Sequence, residues 1–270
     1  MKKKITTFLV ICSFAAQSLV AQKLPNIQEV SVRAPSGIRI DGKPTEWNSE
    51  LPAFNKSTNV AYMLSNDNDN LYLLIECKDA VINKKIVAGG ITFSINADDK
   101  RKTDNAPAIT YPILKNVPYA TVLSAINRLD YKKNTPAQFD SVRKAGNKVL
   151  TDEGKEIKVT GIKAIQDTLI SIYNENGIKA AMLLDDSNSL IYELAVPLKL
   201  VGLSPSPKQG KKFMYNIMLN GMAARNSIIH KVNDGLVAST SSVPRGAASA
   251  QTYMIVNFPT DFWGEYTLAK

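Results

Sequence analysis

The sequence predicts an all-β protein folded as a two-sheet sandwich or barrel, and three observations support that prediction. Short runs rich in β-branched and aromatic residues recur along the chain, with clusters of Asn, Asp, Gly and Pro between them. Many short strands at such spacing are the pattern of sandwiches and barrels. The alternating helices of roughly 10 to 15 residues that a doubly wound α/β fold requires are missing.

Taken in order, strands are predicted near 28–33, 37–41, 58–65, 70–77 and 90–97, then near 157–163, 168–173, 178–184, 189–196, 212–220 and 251–258. SNDNDN, residues 65–70, is a stretch of turn formers between two strand-like runs and predicts a hairpin. Asn176-Gly177 lies between ISIYNE and IKAAML, the strongest short-range hairpin signal, and predicts a second one. In 212–220, Phe213, Tyr215, Ile217 and Leu219 alternate with Met214, Asn216, Met218 and Asn220, so one set faces the core. The middle breaks this alternation. Leu114, Val117, Val122, Leu123, Ile126 and Leu129 follow spacings closer to a helical stripe, interrupted by Pro118. PAQFDSVRKAG, residues 136–146, reads as a short helix with Pro136 in its first turn and Gly146 near its end. Residues 101–150 are therefore expected to form a partly helical insertion within one β-sandwich domain spanning 22–270.

Residues 1–21 read as a secretory signal peptide. Lys2, Lys3 and Lys4 precede a stretch with few polar groups, and Leu19-Val20-Ala21 offers a cleavage point. About 15 apolar residues are fewer than the roughly 20 that cross a bilayer, and no comparable run follows, so no transmembrane segment is expected. The expected location is outside the cytoplasm: periplasm, cell surface or secreted. A lipoprotein reading would use Cys12, but branched Ile11 precedes it and the apolar stretch continues past it. The 270 residues carry 33 Lys or Arg and 24 Asp or Glu; removing the 21-residue leader with its three lysines leaves 249 residues, 30 cations and a charge of +6. The acids are interspersed with the lysines, which argues against a nucleic-acid partner. If Cys12 leaves with the leader, Cys77 is the sole thiol and no intrachain disulfide forms; within LYLLIEC it reads as a small buried apolar residue.

Catalytic chemistry finds little support. His230 is the only histidine, which removes most nucleophile–base schemes and every His- or Cys-rich zinc site. No phosphate-binding loop or nucleophile elbow occurs. Asp98-Asp99 and Asp185-Asp186 read as solvated loop acids, although paired carboxylates of a glycosidase are a matter of fold and stay open. No enzyme and no cofactor are expected. Calcium at Asp67 and Asp69 is an alternative to a plain turn, since oxygen-bearing side chains suit a hard cation, but the twelfth position from Asp67 is Lys78. Aromatic rings are what a sugar needs, because a pyranose face of C–H groups stacks on a π system. Trp47, behind the Asp41-Gly42 turn, reads as core. Trp263 in TDFWGEY, with Tyr111, Tyr119 and Tyr131 in the insertion, are the candidate ligand-binding residues, with ordinary packing as the competing reading for each.

IRIDGKPTEWN at 38–48, DNDNLYLLIECKD at 67–79, GGITFSINADDK at 89–100 and YELAVPLKLVGL at 192–203 together resemble the successive landmarks of the DOMON-like superfamily. Within it they are most similar to the family-nine type of carbohydrate-binding module. The resemblance covers roughly 38–100 and 190–220 and leaves out the insertion. It implies a jelly-roll-like sandwich, non-catalytic, often binding sugar ends between aromatic side chains and sometimes holding calcium; members with haem, on Met and His ligands, also exist. The resulting expectation is an exported carbohydrate-binding module. The alternatives are a structural or protein-interaction domain of the cell envelope, and behind it a haem protein or a glycosidase.

Overall fold

The computed structural model describes residues 23–47, 50–97, 101, 104–114, 135–204, 212–222, 229–232, 235–238 and 247–270, with the backbone alone for 229–232, 235–238 and 247–249. The expected leader 1–21, Cys12, Asp98-Asp99 and most of the helical stripe to Leu129 lie outside the described residues.

Among the described residues the chain forms thirteen strands and three α-helices, numbered in chain order. One sheet has the order β1 (Ala53–Asn55), β2 (Val60–Asn66), β3 (Asn70–Cys77), β9 (Leu190–Pro197), β8 (Lys179–Leu184). The other runs β13 (Thr260–Thr267), β10 (Lys212–Leu219), β4 (Ile91–Asn96), β5 (Ala108–Tyr111), β6 (Glu156–Thr160), β7 (Leu169–Ser171). Strands β11 (Ile229–Val232) and β12 (Gly235–Ala238) form a separate hairpin that carries His230. All pairings between strands are antiparallel, giving the two-sheet β architecture the sequence predicts.

Alternation builds the interior. Leu71, Leu73, Ile75 and Cys77 of β3, and Leu190, Tyr192, Leu194 and Val196 of β9, meet Phe93, Phe213, Tyr215, Ile217 and Phe262 of the facing sheet in one core. The Tyr62 hydroxyl, 2.8 Å from that of Tyr215, joins the sheets through the middle of this core. Gly264 lies opposite Tyr215 in the β10–β13 register, and a Cβ there would sit 2.2 Å from the Tyr215 ring, so only glycine admits that tyrosine. The alternation read in 212–220 is the observed one.

The five-stranded sheet is also covered on its outer face. Val32, Ala34, Ile38, Ile40, Trp47 and Leu51 pack on Met63, Tyr72, Leu74, Ile191 and Ala195 as a second apolar cluster. The expected strands at 28–33 and 37–41 are therefore absent: apart from a parallel bridge between Arg33 and Asn66, this segment lies across the sheet as a strap. Side-chain amides stand in for missing strand neighbours. Gln28 exchanges both hydrogen bonds with the Leu64 backbone, Asn66 with Ala269 and Asn147 with Leu184. Such pairs close exposed backbone edges.

Helix α1 (Ala80–Gly89) starts where the Asp79 side chain accepts from the Val81 and Ile82 amides. It packs against α3 (Ala247–Asn257). Helix α2 (Pro136–Glu153) begins with a capping box made by Thr135 and Gln138 and continues past Gly146, which is buried within it. The expected insertion thus contains an integral strand, β5, as well as α2. Two further corrections follow. Residues 251–258 belong mostly to helix α3, and the last strand is Thr260–Thr267, the one carrying Trp263. The Asn176-Gly177 turn closes no hairpin, because β7 pairs with β6 in one sheet and β8 with β9 in the other, so this turn carries the chain between sheets. The hairpin preceding β9 is instead turned by Asp185, whose Oδ1 accepts from the Ser187 and Ser189 amides.

Candidate functional site

Three of the four segments singled out in the sequence, 38–48, 67–79 and 192–203, meet around Glu193 on the outer face of β9, while 89–100 supplies β4 of the other sheet. This side chain is buried, and no cation pairs with it among the described residues. Its Oε1 accepts the Trp47 indole N–H at 2.7 Å, and its Oε2 accepts the Asp41 and Gly42 amides at 3.0 and 2.7 Å. Burial pushes the carboxyl up, and the Trp47, Gly42 and Asp41 donors pull the other way. Trp47 meets the Tyr72 ring edge-on, with centroids 5.8 Å apart. Gly42, at φ +81, packs so closely on Leu183 that a Cβ would lie 2.7 Å from its Cγ. These residues fasten the strap to the sheet. Trp47 is core, as its sequence position suggested.

Asp67 and Asp69, the candidate calcium ligands, form a hairpin turn. Asp67 Oδ1 accepts from the Asp69 and Asn70 amides, and Oδ2 accepts the Tyr72 hydroxyl at 2.6 Å. Partial burial alone would raise this carboxyl; the Tyr72 hydroxyl and the two amides outweigh it and hold the group below the usual carboxylate range. Both Asp67 oxygens are engaged. Asp69 lines a cleft of about 430 Å³ with Glu175, Asn176 and Lys199. No group of three or more metal-binding side chains forms among the described residues.

Of the aromatic candidates, Tyr111 is removed from any sugar-facing role by burial. Its exposure is 3 %, its hydroxyl donates to the Gly154 carbonyl, and its ring lies 6.1 Å from that of Tyr192. Tyr119 and Tyr131 lie outside the described residues. Cys77 is buried and unpaired, and burial pushes its thiol up to about 12, which leaves it unreactive. Asp185 is held in its turn, and Asp186 pairs with Arg143 at 2.7 Å.

Trp263 stands differently. The alternation of β13 sends Phe262 and Tyr266 into the core, so Trp263 with Asp261 points out from the six-stranded sheet, and its indole is half-buried. The register aligns Trp263 with Asn216, Ser94 and Ala108, and Asp261 with Met218, Thr92 and Thr110. At about 4.8 Å per strand, each row spans about 14 Å. Trp263 and Asp261 are two residues apart on one strand, which places their Cα atoms about 7 Å from each other. Asn216 donates from Nδ2 to Asp261 Oδ2 at 2.6 Å and to the Phe262 carbonyl at 3.1 Å, two acceptors that fix the amide's orientation. Its buried Oδ1 has no partner. Asp261 itself is exposed, with one oxygen held by Asn216 and the other directed to no described residue. Nearby, the Thr92 and Thr110 hydroxyls lie 2.8 Å apart, and the Thr92 hydroxyl also donates to Asn220 Oδ1.

The sequence names Trp263 as a candidate but not the residues beside it. Asp261 belongs to a strand that had not been recognised, and Asn216 lies 45 residues away, brought alongside only by the β10–β13 pairing. A flat ring beside an oriented carboxylate can stack on an apolar sugar face while accepting hydroxyl hydrogen bonds. Among the described residues no helix is long and apolar enough to cross a membrane. Comparison with protein-family models and with curated proteins finds no match for this chain.

Proposed function

We propose that this protein is an exported, non-catalytic carbohydrate-binding module, built as a jelly-roll-like sandwich of the DOMON-like type. The observation that carries the reading is the half-buried, outward-facing indole of Trp263 beside Asp261, whose carboxylate Asn216 holds in place. A pyranose ring stacks on Trp263, Asp261 accepts its hydroxyls, and Asn216 acts as a positioning residue. A single stacked ring with one or two hydroxyl contacts gives affinity on the order of micromolar to millimolar Kd.

A glycan array with wild type and Trp263→Ala tests this. Wild type retains a defined glycan class, and Trp263→Ala loses it while its melting transition stays cooperative. Absence of glycan retention by folded wild-type protein would refute the proposal.

A further inference from the structure

The strap covers only part of the five-stranded sheet's outer face. Where it ends, the sheet leaves a cleft of about 850 Å³ over the cross-strand pair Ala61 and Glu76, walled by Leu24, Leu51 and Phe54 and rimmed by Glu50, Asp79 and Lys78. We propose that this groove docks an extended, lysine-bearing peptide segment of another protein. The inference is independent of sugar binding, which uses the opposite sheet.

Charge and shape both support this occupant. Among the described residues lining the cleft, Glu50, Glu76 and Asp79 face one cation, Lys78, which already pairs with Glu76 at 3.2 Å. Asp79 is occupied by the α1 amides and by Asn59, and Lys78 takes one oxygen of Glu76, so a guest cation meets Glu50 and the second oxygen of Glu76. Glu50 is exposed and has no ion-pair partner among the described residues. Leu24, 39 % exposed, and Phe54 offer apolar surface to the aliphatic stem of a lysine or to an adjacent apolar residue. The contrast with the rest of the chain matters. The net charge, +9 for the full sequence and +6 without residues 1–21, opposes basic ligands in general, so binding of one depends on a local acidic site.

The probe is a fluorescein-labelled six-residue peptide of alternating Lys and Leu, with its Glu and Leu counterpart as control, titrated by fluorescence anisotropy. The Lys and Leu peptide should bind saturably, and raising salt from 20 to 200 mM should weaken it by about tenfold, because the contacts are exposed charges. Glu50→Gln and Glu76→Gln should each weaken binding by about threefold, the scale of one exposed ion pair, with unchanged melting temperature. Glu175→Gln, at a different cleft, should leave binding unchanged. The proposal is overturned by failure of the wild type to bind, by equal binding of the acidic peptide, or by undiminished, wild-type affinity in both groove variants. Cadaverine binding as tightly as the peptide would overturn it too, since the apolar walls would then contribute nothing.

Discussion

Replacing Glu193 by Gln tests how the strap is held, and two effects compete. The substitution relieves the cost of burying a charge, which by itself would stabilise the fold. Against this, three N–H donors converge on the two carboxylate oxygens, from Trp47, Asp41 and Gly42. Gln offers one acceptor oxygen, so its NH2 group must face either the indole or the two amides. One hydrogen bond to a charged group is lost, about 1.5 to 3 kcal/mol, and at least one buried donor is left without a partner, about 1 to 3 kcal/mol. After relief of the charge, a net loss of about 2 to 4 kcal/mol remains. For a chain of this size a loss of 3 kcal/mol lowers Tm by about 6 to 12 °C. Trp47→Phe keeps most of the ring and removes one donor, so Glu193→Gln should cost less in that background. Urea denaturation of the two single variants and the double variant should give a coupling of about 1 to 2 kcal/mol. A neutral or stabilising Glu193→Gln, or strict additivity, would show that charge burial dominates and that the donor geometry does not hold the strap.

Gly42→Ala should destabilise by about 2 kcal/mol or more, combining a left-handed backbone with a Cβ forced onto Leu183, and thermal melts will measure it. Lys85, buried on α1 with one hydrogen bond to the Thr260 hydroxyl, is lowered by burial from 10.5 to about 8. A lysine depressed in the folded state binds fewer protons there than in the unfolded chain between those values, so stability rises with pH over that window and is constant below about 8. Lys85→Met should raise the urea midpoint at pH 7.5, and its advantage over wild type should shrink at pH 9.5; a constant difference would exclude an ionised buried lysine as the cause.

Legibility in the sequence followed the range of the interactions. The β2–β3 hairpin was readable because Asp67 makes it with its own near neighbours, Asp69, Asn70 and Tyr72. The Asn176-Gly177 turn was misread for the complementary reason. Its local chemistry is that of a turn, but β7 and β8 take their partners from different sheets, which is decided by tertiary pairing. Helix α1 is not legible because its polar residues Asn83, Lys84 and Lys85 are consecutive, with apolar residues on either side, so no polar stripe marks a helical period, and the structure buries Asn83 and Lys85 as well as the apolar residues. Near the carboxyl end, Tyr253, Ile255 and Val256 gave helix α3 a strand-like composition. That displaced the strand reading from 260–267 and hid the relation of Asp261 to Trp263. Glu193 and Trp47 lie 146 residues apart, so neither could be assigned as the other's partner from sequence.

The most direct test of the proposed sugar face uses the fact that the chain has two tryptophans. In Trp47→Phe the remaining indole is Trp263, so its fluorescence reports on that face alone. Titration with the glycan class retained on the array should shift Trp263 emission to shorter wavelength along a saturable curve, as stacking replaces water on the ring. The same titration of the double variant Trp47→Phe and Asp261→Ala should need at least about tenfold more glycan, the scale of one lost hydrogen bond to a charged group. A glycan that binds the protein while leaving Trp263 emission unchanged would contradict the account and place the ligand elsewhere on the molecule.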